Sequence, residues 1–533
     1  MPTTRDCTNC SPAAIIDPLP QAPISLSPEE NLMLLPILIP VLAVFIFLSA
    51  FLLIRTSLFM RLPEPVEPAE LPEVDAEIAA GHLSLAIRAK TVSYDDQPPD
   101  AMAFYELHRT LETLYPRVHA TLERQIVSDF SLLYRWRGSN PELPAALFCA
   151  HLDVVPAAED SLDQWQHPPF SGEVAEEQVW GRGALDVKGQ LVALMEAAEQ
   201  LIKAGFQPER TIYFAFGEDE ETGGRRGAAQ IAALLAERGE QLEVVLDEGG
   251  AIVQGTLPGV ELPVALIGIG EKGYLTLRLR VDQPGGHSSA PPPSTAIGIL
   301  ARAITAIEDH PFPASTVFLR ETFRAIGAAA SPALQLIFAN PWLFGGLLKR
   351  RLSADPKTNA AIRTTAAVTI VRGGVKENVL PPTAEALVNL RLLPGDSIES
   401  AVEYVRQVVN DRNVQIEVVP QGSWDAAPLT SPDSPAFESL SRAVREVFPG
   451  VVTAPYLVMG ATDARYYTGL CENVLRLTPV VMTREDLDSI HSVNERISVA
   501  GLGRMVQFYQ HLMRLWCGGV EPQSESAPAL SEE

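Results

Sequence analysis

Cysteine is scarce: the 533 residues include five, Cys7, Cys10, Cys149, Cys471 and Cys517. So small and odd a number in so long a chain excludes a disulfide framework. Cys7-x-x-Cys10 lies in a Pro-rich N-terminal segment with no second pair near it, so it does not make a four-ligand structural zinc site. Basic residues are also short, 41 against 66 acids, for a formal net charge of −25. Nucleic acid is therefore excluded as a partner, because a phosphate backbone calls for Lys and Arg. The surplus of acids serves solubility or supplies ligands for cations. Hydrophobic residues make up 47% of the chain, enough for a sizeable core, and the length implies two or more domains.

Charge is absent altogether from Leu32 to Ile54, LMLLPILIPVLAVFIFLSAFLLI. A helix needs about 20 apolar residues to cross a bilayer. A signal-peptide apolar region runs to only about 7–15 residues, so the run predicts an uncleaved single-pass transmembrane anchor and a membrane localisation. Arg55 and Arg61 follow it and Arg5 precedes it, a bias toward a cytoplasmic C-terminal side that is too small to fix the orientation. The stretch PEPVEPAELPEVDAEIA, residues 63–79, then reads as an acidic, semi-extended tether.

From about residue 80 the chain alternates strand-like and helix-like segments. AALFCAHLDVV (145–155) is an apolar run that turns polar, KGQLVALMEAAEQLIKAG (188–205) has helical spacing and a glycine stop, and RTIYFAFG (210–217) predicts a strand. A helix at 227–239 and a strand at 242–250 follow. This alternation predicts an α/β fold with a mostly parallel sheet covered by helices, whose functional groups gather at the carboxyl ends of the strands. YLTLRLRV (274–281) changes to strict alternation. Two more such strands at 364–374 and 384–395 and a helix at 398–410 predict a small inserted α+β domain. The apolar stretch 332–351 reads either as a helical hairpin over a greasy pocket or as ordinary packing inside the insert. The α/β pattern resumes near 425.

Four strand ends carry candidate metal ligands: Ala150-His151-Leu152-Asp153, the turn Gly183–Gly189 with Asp186, the run Glu218-Asp219-Glu220-Glu221, and Asp247-Glu248-Gly249-Gly250. Imidazole with carboxylate suits zinc and its first-row neighbours. Each motif alone is common: an Asp before a glycine-rich turn is usually a turn former, and an acidic run is often a solvated loop. Four of them in order, each after an apolar run, point to one metal site. Two cations sharing a carboxylate absorb more negative charge than one and activate a water between them.

AHLDVVP, GRGALDVKG, GEDEETGG, LDEGG, GGHSS and Ile490-His491 resemble the M20 family of di-zinc metallopeptidases. ANPWLF, NAAIRTTAAVTI, GGVKENVLPP and GATDARYY are similar to its carboxypeptidase S and N-fatty-acyl-amino-acid synthase/hydrolase branch. The resemblance runs from about residue 80 to 515. It implies two zinc ions per subunit, with cobalt or manganese as alternatives. It implies His151 and Asp247 as ligands of one zinc, Asp186 as the bridge, and Glu221 and His491 as ligands of the other. Glu220 is implied as the general base for a metal-bridging water, and Asp153 as the residue that orients the His151 ring. His287 would be supplied to a partner's active site to hold the oxyanion, and Arg391, with Asn378 nearby, would hold the substrate carboxylate. Adjacent residues in extended chain face opposite sides, which would let Glu221 bind metal while Glu220 faces the water.

The implied layout is a Pro-rich segment 1–31, a transmembrane helix 32–54, a tether 55–79 and a catalytic domain in two parts, 80–270 and 425–517. Between the two parts lies a ferredoxin-like dimerisation and lid domain, 271–424, and an acidic tail, 518–533, ends the chain. A homodimer would form through residues 271–424. The implied reaction is hydrolysis of an amide bond next to a free carboxylate, in an N-acyl amino acid or short peptide. A dipeptidase or carboxypeptidase is the alternative. A membrane-tethered binding protein without turnover is the rival from another class, and no ligand or base is missing as that would require.

Overall fold

The apolar run before His151 forms the strand Ala145–His151, buried at every position. Phe148 packs into one core with Leu191, Met195 and Tyr509, while its neighbours Leu147 and Cys149 face a second core with Ile231, Leu235 and Tyr467. Both faces of the strand are thus covered, as a continuous apolar run requires. The strand lies in an eight-stranded sheet in the order Glu123–Val127, Ser131–Trp136, Ile212–Gly217, Ala145–His151, Leu242–Val253, Val474–Met482, Val264–Glu271, Val452–Val458. The central pairings are parallel, and the first two strands join antiparallel at one edge. Helices Ala76–Arg88, Lys188–Lys203, Pro435–Val447 and Val499–Cys517 cover one face, and Ala228–Glu237 the other. Parallel register sets His151 opposite Gly217, so the acids of 218–221 emerge beside the histidine.

The computed structural model describes residues 28–59, 65–257, 259–420 and 422–518. Cys7, Cys10, Arg5, Arg61 and residues 519–533 of the acidic tail lie outside that set. The chain divides into two units, Met1–Arg55 and Thr56–Glu533. The apolar run is helical, within a helix Pro28–Phe59 that extends past the expected boundaries at both ends. Its stretch Leu38–Phe59 is long and apolar enough to cross a membrane. The tether expected over 55–79 is shorter than that, because the helix Ala76–Arg88 begins inside it, capped by Asp75, and buries Ala79, Ala80 and Leu83 in the main core.

The insert contains four antiparallel strands in the order Thr365–Gly373, Thr383–Leu392, Gly273–Asp282, Gln415–Val418. Helices Ala296–Asp309 and Ile398–Val409 lie on one face, burying Ile299, Leu300, Val402 and Val405 against Leu275, Leu277, Val388 and Leu390. The alternating burial of Gly273–Asp282 follows its sequence.

The stretch 332–351 does form a helical pair, Pro332–Ala339 and Pro341–Leu352, but it is not packed inside the small domain. With the helix Arg320–Gly327 it covers the edge of the large sheet, where Phe323, Ile326 and Phe338 meet Val253, Val264, Val452 and Ala454. Residues 271–424 therefore hold two packing units, one of which belongs to the large domain's core. The apolar composition of 332–351 specifies burial, not the surface that provides it. The rings of Phe323 and Phe338 stack at 4.4 Å. Phe338→Ala should cost about 3–5 kcal/mol, read by denaturant unfolding of the Thr56–Glu533 unit; a near-neutral change would mean the helical pair does not belong to that core.

Candidate metal centre

His151 ends its strand and is 1% exposed. Its Nδ1 lies 2.9 Å from the backbone oxygen of Asp153 and 3.3 Å from Asp153 Oδ1. A proton on Nδ1 donated to Asp153 leaves the Nε2 lone pair free for a cation, the usual arrangement of a metal-bound imidazole. Nε2 points at two carboxylates, Asp186 Oδ1 at 3.0 Å and Glu248 Oε1 at 3.1 Å. On the other side, His491 Nε2 lies 2.9 Å from Asp186 Oδ2 and 3.3 Å from Glu221 Oε2. His491 holds a left-handed backbone, φ 59°, which is uncommon outside glycine and collects at functional sites. Two triads result, His151–Asp186–Glu248 and Asp186–Glu221–His491, each with ligand atoms within 4.8 Å of one another. Asp186 gives one oxygen to each.

Asp186 is held by a residue that sequence reasoning missed. Glu495 is fully buried. Its Oε1 accepts hydrogen bonds from the backbone N–H of Gly183, Leu185 and Asp186 at 3.0, 2.9 and 3.1 Å. Arg182 Nη1 donates to Glu495 Oε2 at 2.6 Å, and Arg182 Nη2 to Ser492 O at 3.0 Å. Glu495 follows His491 by four residues, so one carboxylate ties the loop that carries Asp186 to the loop that carries His491.

The acids of the run 218–221 do different jobs. Glu218 Oε2 accepts from Phe130 N, Ser131 N and Ser131 Oγ at 2.5, 2.8 and 3.1 Å. Asp219 accepts from Arg226 N and Gly227 N at 2.9 and 2.8 Å. These two acids fasten the segment to its surroundings. Glu220–Thr222 is a single 3-10 turn, not extended chain, so strand alternation is not what separates Glu220 from Glu221. Asp153 sets that turn: its Oδ1 and Oδ2 accept from Glu220 N and Glu221 N at 3.1 and 3.2 Å. Gly223 closes it at φ 102°, and Gly224 follows at φ 64°.

The structure places Glu248, not Asp247, against His151 and Asp186. Asp247 is buried, and its Oδ1 accepts from Glu248 N at 2.9 Å. The register with Val474–Met482 slips just after Asp247, where Arg476 pairs with Asp247 and Thr478 with Ala251. This bulge, with Gly249 at φ 100°, turns Glu248 into the site. The glycines after Glu248 are the signal that would have found it.

The substrate-side residues stand apart from the triads. Arg391, on the strand Thr383–Leu392, lays its guanidinium 4.5 Å over the Tyr274 ring, and that guanidinium makes no hydrogen bond or ion pair with any described residue. His287 and Asn378 are both exposed, on short paired segments where His287 faces Val379 and Ser288 N donates to Asn378 O at 3.2 Å. Neither makes a hydrogen bond or ion pair with a triad residue.

Electrostatics point to cations. Burial raises the Glu220 carboxyl well above its ordinary value, and Glu248, Asp463 and Glu221 add to this. Burial and the Asp186 charge push Glu248 up to about 8. Hydrogen bonds that the His491 ring donates to Asp186 and Glu221 lift His491 to about 10. Burial works against the charge on Asp186, but its hydrogen bonds with His151 and His491 hold it below the ordinary range. Glu221 Oε1 has no hydrogen-bond partner among the described residues, and each triad is one imidazole and two carboxylates, a donor set that fits a divalent first-row cation.

The model of peptidase family M20/M25/M40 matches residues 147–515. Probable carboxypeptidase S-like 2 of Dictyostelium discoideum is 38% identical over 451 residues, covering 83% of this chain and 85% of that protein. N-fatty-acyl-amino acid synthase/hydrolase PM20D1 of Xenopus tropicalis is 37% identical over 484 residues, covering 88% and 93%. Among solved structures, the M20 family metallo-carboxypeptidase Sso-CP2 from Sulfolobus solfataricus has the same fold, with a TM-score of 0.59 at 17% identity over 82% of this chain and 98% of that one.

Two outcomes follow from the geometry. Glu248→Ala should lower bound metal by about one equivalent in elemental analysis, whereas Asp247→Asn should keep both; the reverse would restore Asp247 as the ligand. His491 and Glu248 must shed protons to bind a cation, so zinc binding near pH 7 should release protons and tighten as pH rises. Calorimetry in two buffers of different ionisation enthalpy reads this directly.

Proposed function

Because the chain belongs to peptidase family M20/M25/M40, we propose that its paired triads hydrolyse an amide bond next to a free carboxylate. The substrate class is an N-acyl amino acid, with short peptides as the second reading. The chain is a peptidase or amidohydrolase by family; the site argument concerns what it cleaves and how. One observation carries it: a single carboxylate, Asp186, presents one oxygen to each of two imidazole-containing triads. His151, Asp186 and Glu248 would hold one cation and Asp186, Glu221 and His491 the other, zinc by preference and cobalt or manganese as alternatives. Two cations held there would supply an acidified water and a polarised carbonyl.

The chain's own residues do the rest. Glu220 takes the proton of the attacking water. A C–O bond forms at the carbonyl carbon, the C–N bond breaks, and Glu220 delivers the proton to the leaving amine. A base works best with a pKa near the operating pH, and the burial that raises Glu220 moves it that way. Asp153 fixes both the His151 ring and the turn that carries Glu220. The unpaired edge of Arg391 suits a bidentate hold on the substrate carboxylate. His287 lies on an exposed segment of the small domain, and supply to a partner's site fits that position. The outer strand Thr365–Gly373, with Ile370 and Val371 exposed, offers an edge for a homodimer.

A fatty acyl group is favoured by the resemblance to a protein named N-fatty-acyl-amino acid synthase/hydrolase. A single-pass anchor at Leu38–Phe59 would keep the enzyme beside such substrates. The peptide reading draws on the carboxypeptidase S-like relative. With zinc present, the protein should release phenylalanine from N-oleoyl-phenylalanine faster than it cleaves Gly-Leu. Cleavage of neither would overturn the hydrolase reading. Glu220→Gln should keep its metal and lose roughly 100- to 10,000-fold in kcat; retained activity would remove Glu220 as the base.

A further inference from the structure

The chain passes between the large and small domains four times, because 320–352 returns to the large sheet within the insert, and where the first and last passages meet Tyr274 and Trp424 exchange backbone hydrogen bonds: Tyr274 N donates to Trp424 O at 2.9 Å and Trp424 N to Tyr274 O at 2.8 Å. Their rings stack at 5.0 Å, 20° from parallel. A guanidinium closes each end of the stack. Arg391, from the small domain, lies 4.5 Å over Tyr274, and Arg465, from the large domain, lies 4.6 Å over Trp424. Aromatic faces are the negative side of the ring and attract cations, so a stack capped by two cations holds its order Arg391, Tyr274, Trp424, Arg465.

Arg465 does not stop at the stack. Its Nη2 donates to Gly223 O at 2.7 Å and its Nη1 to Thr462 O at 2.6 Å. Tyr466 Oη donates to the same Gly223 oxygen at 2.7 Å, and its ring lies 4.6 Å from the Arg465 guanidinium. Gly223 N in turn donates to Glu220 O at 2.8 Å and closes the Glu220–Thr222 turn. An unbroken run of packed and hydrogen-bonded groups therefore leads from Arg391 to the turn that carries Glu220 and Glu221.

We propose that Arg465 is a positioning residue that ties the orientation of the Glu220–Glu221 turn to Arg391 through the Tyr274–Trp424 stack. The proposal rests on the reading of Arg391 as the group that holds the substrate carboxylate. A carboxylate on the free edge of Arg391 fixes that guanidinium, the stack transmits the position across the junction of the two domains, and the fork of Arg465 sets the Gly223 carbonyl. Lysine would keep the charge at 465 but lose the flat face and the two-pronged hydrogen bonding. A cavity of about 670 Å³ opens beside Trp424, Arg465 and Tyr466.

The test is steady-state kinetics on N-oleoyl-phenylalanine with the full chain loaded with zinc. Arg465→Lys and Trp424→Leu should each lower kcat by roughly 2- to 30-fold with KM little changed, while Trp424→Phe, which keeps a stacking ring, stays near wild type. In an Arg391→Ala background, Trp424→Leu should cost little more, because the interaction it interrupts is already gone. A rise in KM at constant kcat would overturn the proposal, since the stack would then serve only to support substrate binding. A full additional loss in the Arg391→Ala background, or a loss matched by lost metal, would overturn it as well. If the wild-type protein turns over no substrate, the hydrolase reading fails and this proposal falls with it; if wild type is active and the variants show the wrong pattern, only the proposal falls.

Discussion

The site depends on one carboxylate being pulled two ways at once. Asp186 faces His151 with one oxygen and His491 with the other, and neither histidine lies near it in sequence. Glu495 makes this placement possible. By accepting three backbone N–H groups from Gly183, Leu185 and Asp186 it leaves the loop no freedom to turn Asp186 away. Burying that carboxylate costs several kcal/mol unless it is paired and hydrogen-bonded. Arg182 and the loop amides supply both, and the same Arg182 reaches Ser492 beside His491. The two halves of the large domain, separated by the whole insert, are thus locked at the one point where both contribute a ligand.

A second constraint is charge density. Four consecutive acids leave the Ile212–Gly217 strand, and like charges in a buried setting repel strongly. The chain divides the load. Glu218 through one oxygen and Asp219 through both accept from backbone amides, and neither belongs to a triad. Asp153 orders the turn that follows, so that Glu221 meets Asp186 and His491 while Glu220 stays out of both triads. What remains around Asp186 is an excess of carboxylate that positive charge must balance, and the two divalent cations proposed for the paired triads would supply it. The same balance gives the strongly acidic composition a local purpose.

Much of this was legible before the fold was known. Continuous apolar runs ending in polar residues mark strands buried on both faces, and strict alternation at 274–281 marks the half-covered sheet of the small domain. His151, Asp186 and the run 218–221 stand at strand or loop ends that the pattern picks out, Glu221 and His491 are singled out by the family resemblance, and the structure gathers His151, Asp186, Glu221 and His491. Three features were hidden for physical reasons. Asp247 and Glu248 are adjacent acids, and only the bulge after them decides which one enters the site. The 220–222 turn is shaped by Asp153, distant in sequence, so local pattern suggests extended chain. Glu495 acts through the backbone of a loop some 310 residues away, and hydrogen bonds of that kind leave no periodicity. The helical pair at 332–352 shows the same limit: apolar composition predicts burial but not against which sheet.

The central claim is that Asp186 bridges two cations, and X-ray absorption at the zinc edge tests it most directly. The zinc-loaded protein should show two equivalents of metal and a metal–metal distance of about 3.5–4 Å, with that vector lost in Asp186→Asn. A single equivalent, or two metals without a mutual scattering path in the wild-type protein, would contradict the account.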